Sequence, residues 1–234
     1  IGRMIRNEGS QRALICDADT PVEEALERVR AYRLPTDSVS RVSCKKKWYA
    51  RTPNPRYSVV AVDCGIKLNI LRMLVKHGCN VTIVPYNTTA QEIRDLHPDG
   101  LLLSNGPGDP ENVQPAIDLV REIRGEFPIF GICLGHQIVS LAYGAKTFKL
   151  KFGHRQPVKN LETGHVYVTT QNHSYAVDPA SVPGTGLEVT CVNLLDGTVE
   201  GVKCVKDRLF TVQYHPESAP GPQDSSHLFG QFIR

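Results

Sequence analysis

The sequence predicts an α/β protein built on an open, mostly parallel sheet flanked by helices, with an added antiparallel portion. Three observations carry that prediction. From Tyr57 onward, short runs rich in Val, Ile and Leu alternate with helical patterns, an order that lays strands parallel and covers both faces of their sheet. Glycine or proline marks most junctions between them. After Gly144 the helical patterns largely stop, and alternating runs separated by turn residues take over.

The elements follow in order. "TPVEEALERVRAY" predicts a short helix with Thr20 as N-cap, Pro21 at the first helical position and acids in the first turn. "SCKKKWYARTPNPRYS" is polar and carries two prolines, so it reads as a linker ending near Arg56. "YSVVAVDCG" is a buried strand. "IKLNILRMLVKHG" places Ile66, Ile70, Leu71, Leu74 and Val75 on one helical face, closed by Gly78. "NVTIVPYN" is the next strand, and "TAQEIRDLHP" opens a helix with a capping box from Thr89 to Glu92. "GLLLSNGPGDP", "NVQPAIDLVREI", "FPIFGI" and "GHQIVSLAYG" continue the strand–helix alternation. Beyond Gly144, "HVYVTTQNHSY" alternates, and "LEVTCVNLLDGTVEGVKCV" predicts a hairpin turning at Asp196-Gly197. "RLFTVQYHPES" is a last strand and "SSHLFGQFI" a closing helix.

Bulk properties narrow the function. The 234 residues suffice for one large domain, or one domain with part of another. The composition is 41% hydrophobic and 22% charged, and no apolar run approaches the ~20 residues of a membrane span. A net charge of +3 with scattered basic residues gives no nucleic-acid footprint, and "CKKKW" reads as a solvated loop. Seven cysteines, far apart and without a CxxC pair, suggest neither a zinc site nor a disulfide framework, so no metal is expected and a reducing cytoplasm fits. The first residues, "IGRMIRNEGS", lack an initiator methionine and a signal peptide, so a portion of a longer protein is expected.

Three stretches, "SNGPGDP", "GICLGHQ" and "VQYHPES", each follow a predicted strand of one sheet. Sites in open α/β sheets form beyond the carboxyl ends of strands, so the three can converge. Gly131-Ile-Cys133-Leu-Gly135 has the form of a strand-to-helix elbow carrying a nucleophile. Such a turn sets the thiol at a helix N-terminus, where the dipole favours a thiolate, and aims the Leu134 N–H at a developing oxyanion. Taken alone, the motif serves a buried core thiol equally well. A thiol nucleophile needs a base and an orienting acceptor. His215 and Glu217, two apart on extended chain, would share one face and supply both. The Gly106-Pro107-Gly108 turn offers further N–H groups for an oxyanion hole. G-x-G-x-x-G and P-loop patterns are absent. Cys16, Cys44, Cys64, Cys79, Cys191 and Cys204 read as packing residues, and His136 as a helix residue.

Together "GICLGHQ", "SNGPGDP" and "HPE" resemble the class I, triad-type glutamine amidotransferases. "VVAVDCGIKLNILRML", "GAKTFKLKFGHR", "TTQNHSYAV" and "HPESAPGP" are similar to the glutaminase small subunits of carbamoyl-phosphate synthetases. The resemblance covers nearly the whole chain. It implies residues 1–40 as the end of an N-terminal domain, 41–56 as a linker and 57–234 as the amidotransferase domain. It implies Cys133 as nucleophile, His215 as base and Glu217 as its orienter. Gly106, Gly108 and the Leu134 amide would surround the substrate carbonyl. Gln137, Asn172, Ser174 and Tyr175 would hold L-glutamine, with His173 supporting that segment or the intersubunit contact. The implied partner is a large synthetase subunit that uses ATP and Mg²⁺ to make carbamoyl phosphate from bicarbonate, for arginine or pyrimidine biosynthesis; no cofactor is expected on this chain. Three departures from the family pattern stand out. Most of the N-terminal domain, with a serine of the glutamine pocket, is absent from the sequence, so weak glutamine binding by this chain alone is expected. "GHRQPVKN" is short around Arg155 and Gln156, where the family carries a glycine- and asparagine-containing loop. Ser174 replaces a common glycine, a mild change if only its backbone meets substrate.

Overall fold

A computed structural model describes residues 12–150, 157–219 and 221–233. The short segment at Arg155 and Gln156 lies outside the described residues.

The polar start forms α1 (Val22–Ala31) and α2 (Ser38–Val42). Pro21 occupies the cap position of α1 itself, one residue later than the predicted Thr20 cap, and no side chain caps this end. A proline there loses no helical hydrogen bond, because the first N–H groups of a helix have no partner in any case. The segment read as a linker contributes β1 (Trp48–Ala50), which pairs antiparallel at the edge of the sheet.

The alternating region then forms as predicted: β2 (Tyr57–Asp63), α3 (Leu68–Lys76), β3 (Cys79–Pro85), α4 (Ala90–Asp95), β4 (Gly100–Leu103), α5 (Gln114–Ile123), β5 (Ile129–Ile132) and α6 (Leu134–Ala142). The capping box of α4 is present, with both Thr89 and Glu92 engaged. β6 (Thr147–Lys149), β7 (Pro157–Asn160), β8 (Val166–Val168), β9 (Tyr175–Val177), β10 (Glu188–Asn193), β11 (Val199–Cys204), β12 (Leu209–Val212) and α7 (His227–Ile233) complete the chain.

Among the described residues, all twelve strands join one open sheet in the order β1-β3-β2-β4-β5-β12-β11-β10-β7-β8, with β9 on β11 and β6 on β9. β3, β2, β4, β5 and β12 run parallel, and the pairings beyond them are antiparallel. Strand alternation divides the core between the two faces. Val60 and Val62 of β2 pack with Leu101, Leu103, Ile117 and Ile138 on one side. Val59 and Ala61 pack with Ile70, Leu74, Phe130 and Phe229 on the other. Helices therefore cover both faces of the parallel half, which is why its strands read as continuous apolar runs. No helix is long and apolar enough to cross a membrane among the described residues.

Register fixes where the chemistry can sit. Val62 pairs with Leu103, Leu103 with Gly131, and Ile132 with Val212. The residues just after these strands, Cys64, Ser104, Cys133 and Gln213, therefore emerge along one edge.

Candidate active site

The elbow is built by close packing that only glycine permits. A Cβ at Gly135 would lie 2.2 Å from the Leu103 carbonyl oxygen, and one at Gly131 would lie 2.8 Å from that of Gly135. Helix α6 thus approaches β4 and β5 more closely than any side chain allows. Cys133 sits at the turn with φ 55° and ψ −102°, a region that non-glycine residues rarely adopt. Two backbone hydrogen bonds hold it there: Cys133 N–H donates to Val212 O at 2.8 Å, and Gly135 N–H to Ser104 O at 3.1 Å. The thiol is buried at the N-terminus of α6, with Gln213 Nε2 donating to Sγ at 3.7 Å.

His215 and Glu217 meet, but not through extended geometry. β12 ends at Val212, and residues 216–217 form a turn that folds Glu217 back. His215 Nδ1 lies 2.8 Å from Glu217 Oε1, and both groups are buried. The His215 N–H donates to Thr170 O at 3.0 Å, which anchors the ring's backbone. Burial works against charge on this imidazole, yet its hydrogen bonds to Cys133 and Glu217 prevail and raise it to about 9. Glu217 also suffers burial, but His215 and Lys67 hold its carboxyl below the usual range. Lys67 Nζ lies 3.0 Å from Glu217 Oε1, and the Asn69 amide donates to the Glu217 carbonyl. Lys67 and Asn69 lie in the β2–α3 region, within a stretch that carries the family resemblance, but neither receives a role at the site from the sequence.

The Gly106 turn closes over the same edge. A Cβ at Gly106 would lie 2.2 Å from Cys64 O and 2.7 Å from a Leu134 methyl, so the turn and the start of α6 touch through a missing side chain. Gly108 has φ +89°. Ser104 Oγ accepts from the Cys64 N–H, and Asn105 Oδ1 from the Lys67 N–H, which ties the turn to the end of β2.

A cleft of about 570 Å³ opens beside Cys133. Gly106, Gly108, Gln137, Asn172, Ser174 and Tyr175 line it, while Leu134 is buried at the start of α6. Gln137 Nε2 donates to Tyr175 O at 2.7 Å and to Gln213 Oε1 at 2.9 Å, so both of its N–H groups are committed within the wall. The Tyr175 hydroxyl is raised by burial and then by its hydrogen bond to Asp109 across the cleft. Leu34, Pro35, Thr36 and Ser38 supply the facing wall. The family resemblance implies that this stretch ends an N-terminal domain, and irregular chain carries no periodicity that would place it at the cleft. Cys64, Cys79, Cys191 and Cys204 are buried; Cys44 is partly buried, and Cys16 lies at the surface. His136 is buried within α6, hydrogen-bonded to Thr211 at 2.7 Å and held down to about 3 by burial, so it is a neutral packing residue.

A thiol at a helix N-terminus, an imidazole against it and a buried carboxylate behind the imidazole thus stand in series, with backbone amides beside the thiol. A model of the class-I glutamine amidotransferases matches residues 60–234. The chain is 51% identical to a carbamoyl phosphate synthase small chain from Listeria innocua over 99% of its own length and 64% of that protein's. It is 50% identical to one from Bacillus caldolyticus over the same shares. It therefore spans just under two thirds of these relatives. Among solved structures, a protein from Thermoplasma acidophilum described as a GMP synthase component superposes with a TM-score of 0.66 at 23% identity, covering 76% of this chain and 92% of that one. A glutamine amidotransferase from Thermotoga maritima gives 0.55 at 16% identity, covering 69% and 76%. These two share the fold. With more than half of its length matched, the chain belongs to the class-I glutamine amidotransferase family.

Proposed function

We propose that this chain hydrolyses L-glutamine to glutamate and ammonia, and delivers the ammonia to a large synthetase subunit for carbamoyl phosphate synthesis. The observation that carries this reading is Cys133 on a strained elbow, engaged with the buried His215–Glu217 pair. Identity of about one half to carbamoyl phosphate synthase small chains supports the choice of partner.

The Cys133 thiolate attacks the side-chain amide carbon of glutamine. The oxyanion forms against the Leu134 N–H and the Gly106–Gly108 turn, where each donor supplies about 3 kcal/mol. The His215 imidazolium gives its proton to the amide nitrogen; the C–N bond breaks, and ammonia leaves with a thioester on Cys133. His215, now neutral, takes a proton from water as that water attacks the thioester. Glutamate departs, and the thiolate–imidazolium pair is restored. Glu217 keeps Nδ1 protonated and the ring aimed, and Lys67 steadies Glu217. Gln137 lines the cleft with its N–H groups already used, which leaves its carbonyl oxygen as the acceptor for the substrate ammonium. Asn172, Ser174 and Tyr175 form the wall against the rest of the amino acid. ATP and Mg²⁺ act on the synthetase partner.

The test is Cys133→Ser in the full-length protein assembled with its synthetase partner. Glutamine-dependent carbamoyl phosphate synthesis should fall by a factor of about a thousand or more, with ammonia-dependent synthesis unchanged. Equal glutamine-dependent rates in variant and parent reject the nucleophile assignment.

A further inference from the structure

Behind the cleft wall lies a buried carboxyl group that glutamine hydrolysis does not use. Glu200, on β11, has no exposed surface. Its Oε2 lies 2.9 Å from Gln171 Nε2, and its Oε1 accepts from Asn193 Nδ2 at 3.4 Å and Thr198 Oγ1 at 3.5 Å. Gln171 reaches the other way to His173, with Oε1 3.0 Å from the ring Nε2. The ring Nδ1 lies 2.8 Å from Tyr175 O, the same carbonyl that Gln137 holds. Gln137 in turn bonds Gln213, which donates to Cys133 Sγ. The chain of hydrogen bonds runs unbroken from Glu200 to the pocket wall and the nucleophile.

Counting donors shows that these linked groups need a proton. Tyr175 O can only accept, so His173 Nδ1 must donate to it. If Glu200 is a carboxylate, Gln171 turns its NH₂ toward it and its carbonyl toward His173, and Nε2 must then donate too. That requires an imidazolium in a buried site. If Glu200 is an acid, its O–H donates to the Gln171 carbonyl, and the Gln171 NH₂ donates to a neutral Nε2. The two arrangements differ by reversal of one amide, and the Thr169 hydroxyl, 3.1 Å from the position that faces Glu200, accepts from the NH₂ in the first and donates to the carbonyl oxygen in the second. The surroundings favour the acid. Burial, with Asp196 adding to it, raises Glu200 to about 8 against its hydrogen bonds. Burial likewise opposes charge on His173, and so does His215, while the Tyr175 carbonyl and Asp196 favour it. The other ionisable groups that sense these two are Cys191, Tyr214 and His136. Burial holds Cys191 at about 11, Tyr214 higher still and His136 at about 3, so all three stay neutral through the working range.

We propose that Glu200 is a positioning residue of the glutamine pocket. As a protonated acid, it acts through Gln171 and His173 on the Tyr175 carbonyl and so on Gln137, and its ionisation loosens the pocket at alkaline pH. The sign is fixed by the count. Below the point where Glu200 ionises, every member of the series is bonded; above it, the Gln171 carbonyl faces a ring nitrogen that has no proton to give.

This inference rests on the glutamine reading of the cleft, and the experiment separates the two. KM for glutamine is measured against pH in the full-length protein with its synthetase partner, for the parent, Glu200→Gln and Glu200→Leu. Loss of one wall hydrogen bond should raise the parent's KM about tenfold between about pH 7 and pH 9. Glu200→Gln, whose amide donates as the acid does, should keep the parent's neutral KM across that range. Glu200→Leu should show the raised KM at every pH, with kcat within about a factor of two. Unchanged alkylation of Cys133 by iodoacetamide in both variants shows the elbow intact. Should the leucine variant fail to fold, the parent and Glu200→Gln profiles decide alone. Parallel KM profiles for those two overturn the inference while leaving the glutamine reading in place. A parent that neither turns over glutamine nor is labelled at Cys133 by a glutamine-like chloroketone overturns both.

Discussion

The two halves of the sheet solve different problems. In the parallel half, β2, β4 and β5 are buried on both faces, and functional groups appear only where strands end. Precision there comes from backbone in contact with backbone. In the antiparallel half, β8 leaves Val166 and Val168 exposed, and Glu200, Asn193 and Thr198 form a polar cluster within the buried layer. The parallel half presents Cys133, His215 and Glu217 beyond its strand ends, and the antiparallel half brings Asn172, Ser174 and Tyr175 to the cleft wall. Under the proposed function the reacting atoms belong to the first and the substrate wall to the second, where the proton proposed for Glu200 would act.

The contrast can be broken most forcefully at Gly135. An added Cβ would meet the Leu103 carbonyl oxygen at 2.2 Å and its carbon at 2.8 Å, and neither can turn aside as a side chain would. Gly135→Ala should therefore displace α6 from β4. The expected cost is about 3 kcal/mol of stability, read as a fall in the urea midpoint, with Cys133 alkylation altered as the elbow shifts. A variant with parental stability would show that the close approach of helix and strand does not constrain the elbow.

A smaller effect is expected at Lys67, which reaches Glu217 of the His215–Glu217 pair from outside the buried layer. Its ammonium lies 3.0 Å from Glu217 Oε1 and is partly exposed. Burial already works against the Glu217 charge, and Lys67 is one of the groups that offset it. Lys67→Met should lower kcat about three- to tenfold with KM for glutamine unchanged. Glu217 loses its carboxylate form as pH falls through its folded value. Without Lys67 that value is higher, so the acid limb of the kcat profile should move to higher pH. A change in KM alone would place Lys67 in the binding wall instead.

The same contrast explains what could be read from the sequence. Parallel strands buried on both faces are continuous apolar runs, and their helices have one apolar face, so β2 through α6 were legible with small errors at the ends. The elbow was legible because glycines at fixed spacing have a steric cause. The His215–Glu217 pairing was anticipated, but its geometry was not: a turn after Val212, rather than extended chain, brings the two together. The Gln171–Glu200 contact joins residues 29 apart whose side chains give no periodic signal. Lys67 reaches a carboxylate in a segment far later in the chain, and no local pattern encodes such a meeting. Leu34, Pro35, Thr36 and Ser38 reach the cleft as chain without a repeating pattern.

The smallest effect expected is at Gly197, the antiparallel half's counterpart to Gly135. It turns the β10–β11 hairpin with φ +73°, and a Cβ there would meet nothing within 4 Å. The constraint is conformational only. Gly197→Ala should cost about 1 kcal/mol, the penalty for holding a side-chain-bearing residue in the left-handed region, against about 3 kcal/mol at Gly135. The turn has other supports that the substitution leaves alone: Asp196 Oδ1 accepts from the Thr198 N–H at 3.0 Å and from its hydroxyl at 2.6 Å. Because Thr198 belongs to the Glu200 cluster and Asp196 bonds Thr198, the variant also reads how tightly hairpin and pocket are joined. A loss near 1 kcal/mol in urea unfolding with KM for glutamine unmoved means that the cluster holds its own geometry. A rise in KM at the same stability cost means that the turn is part of the device that sets it.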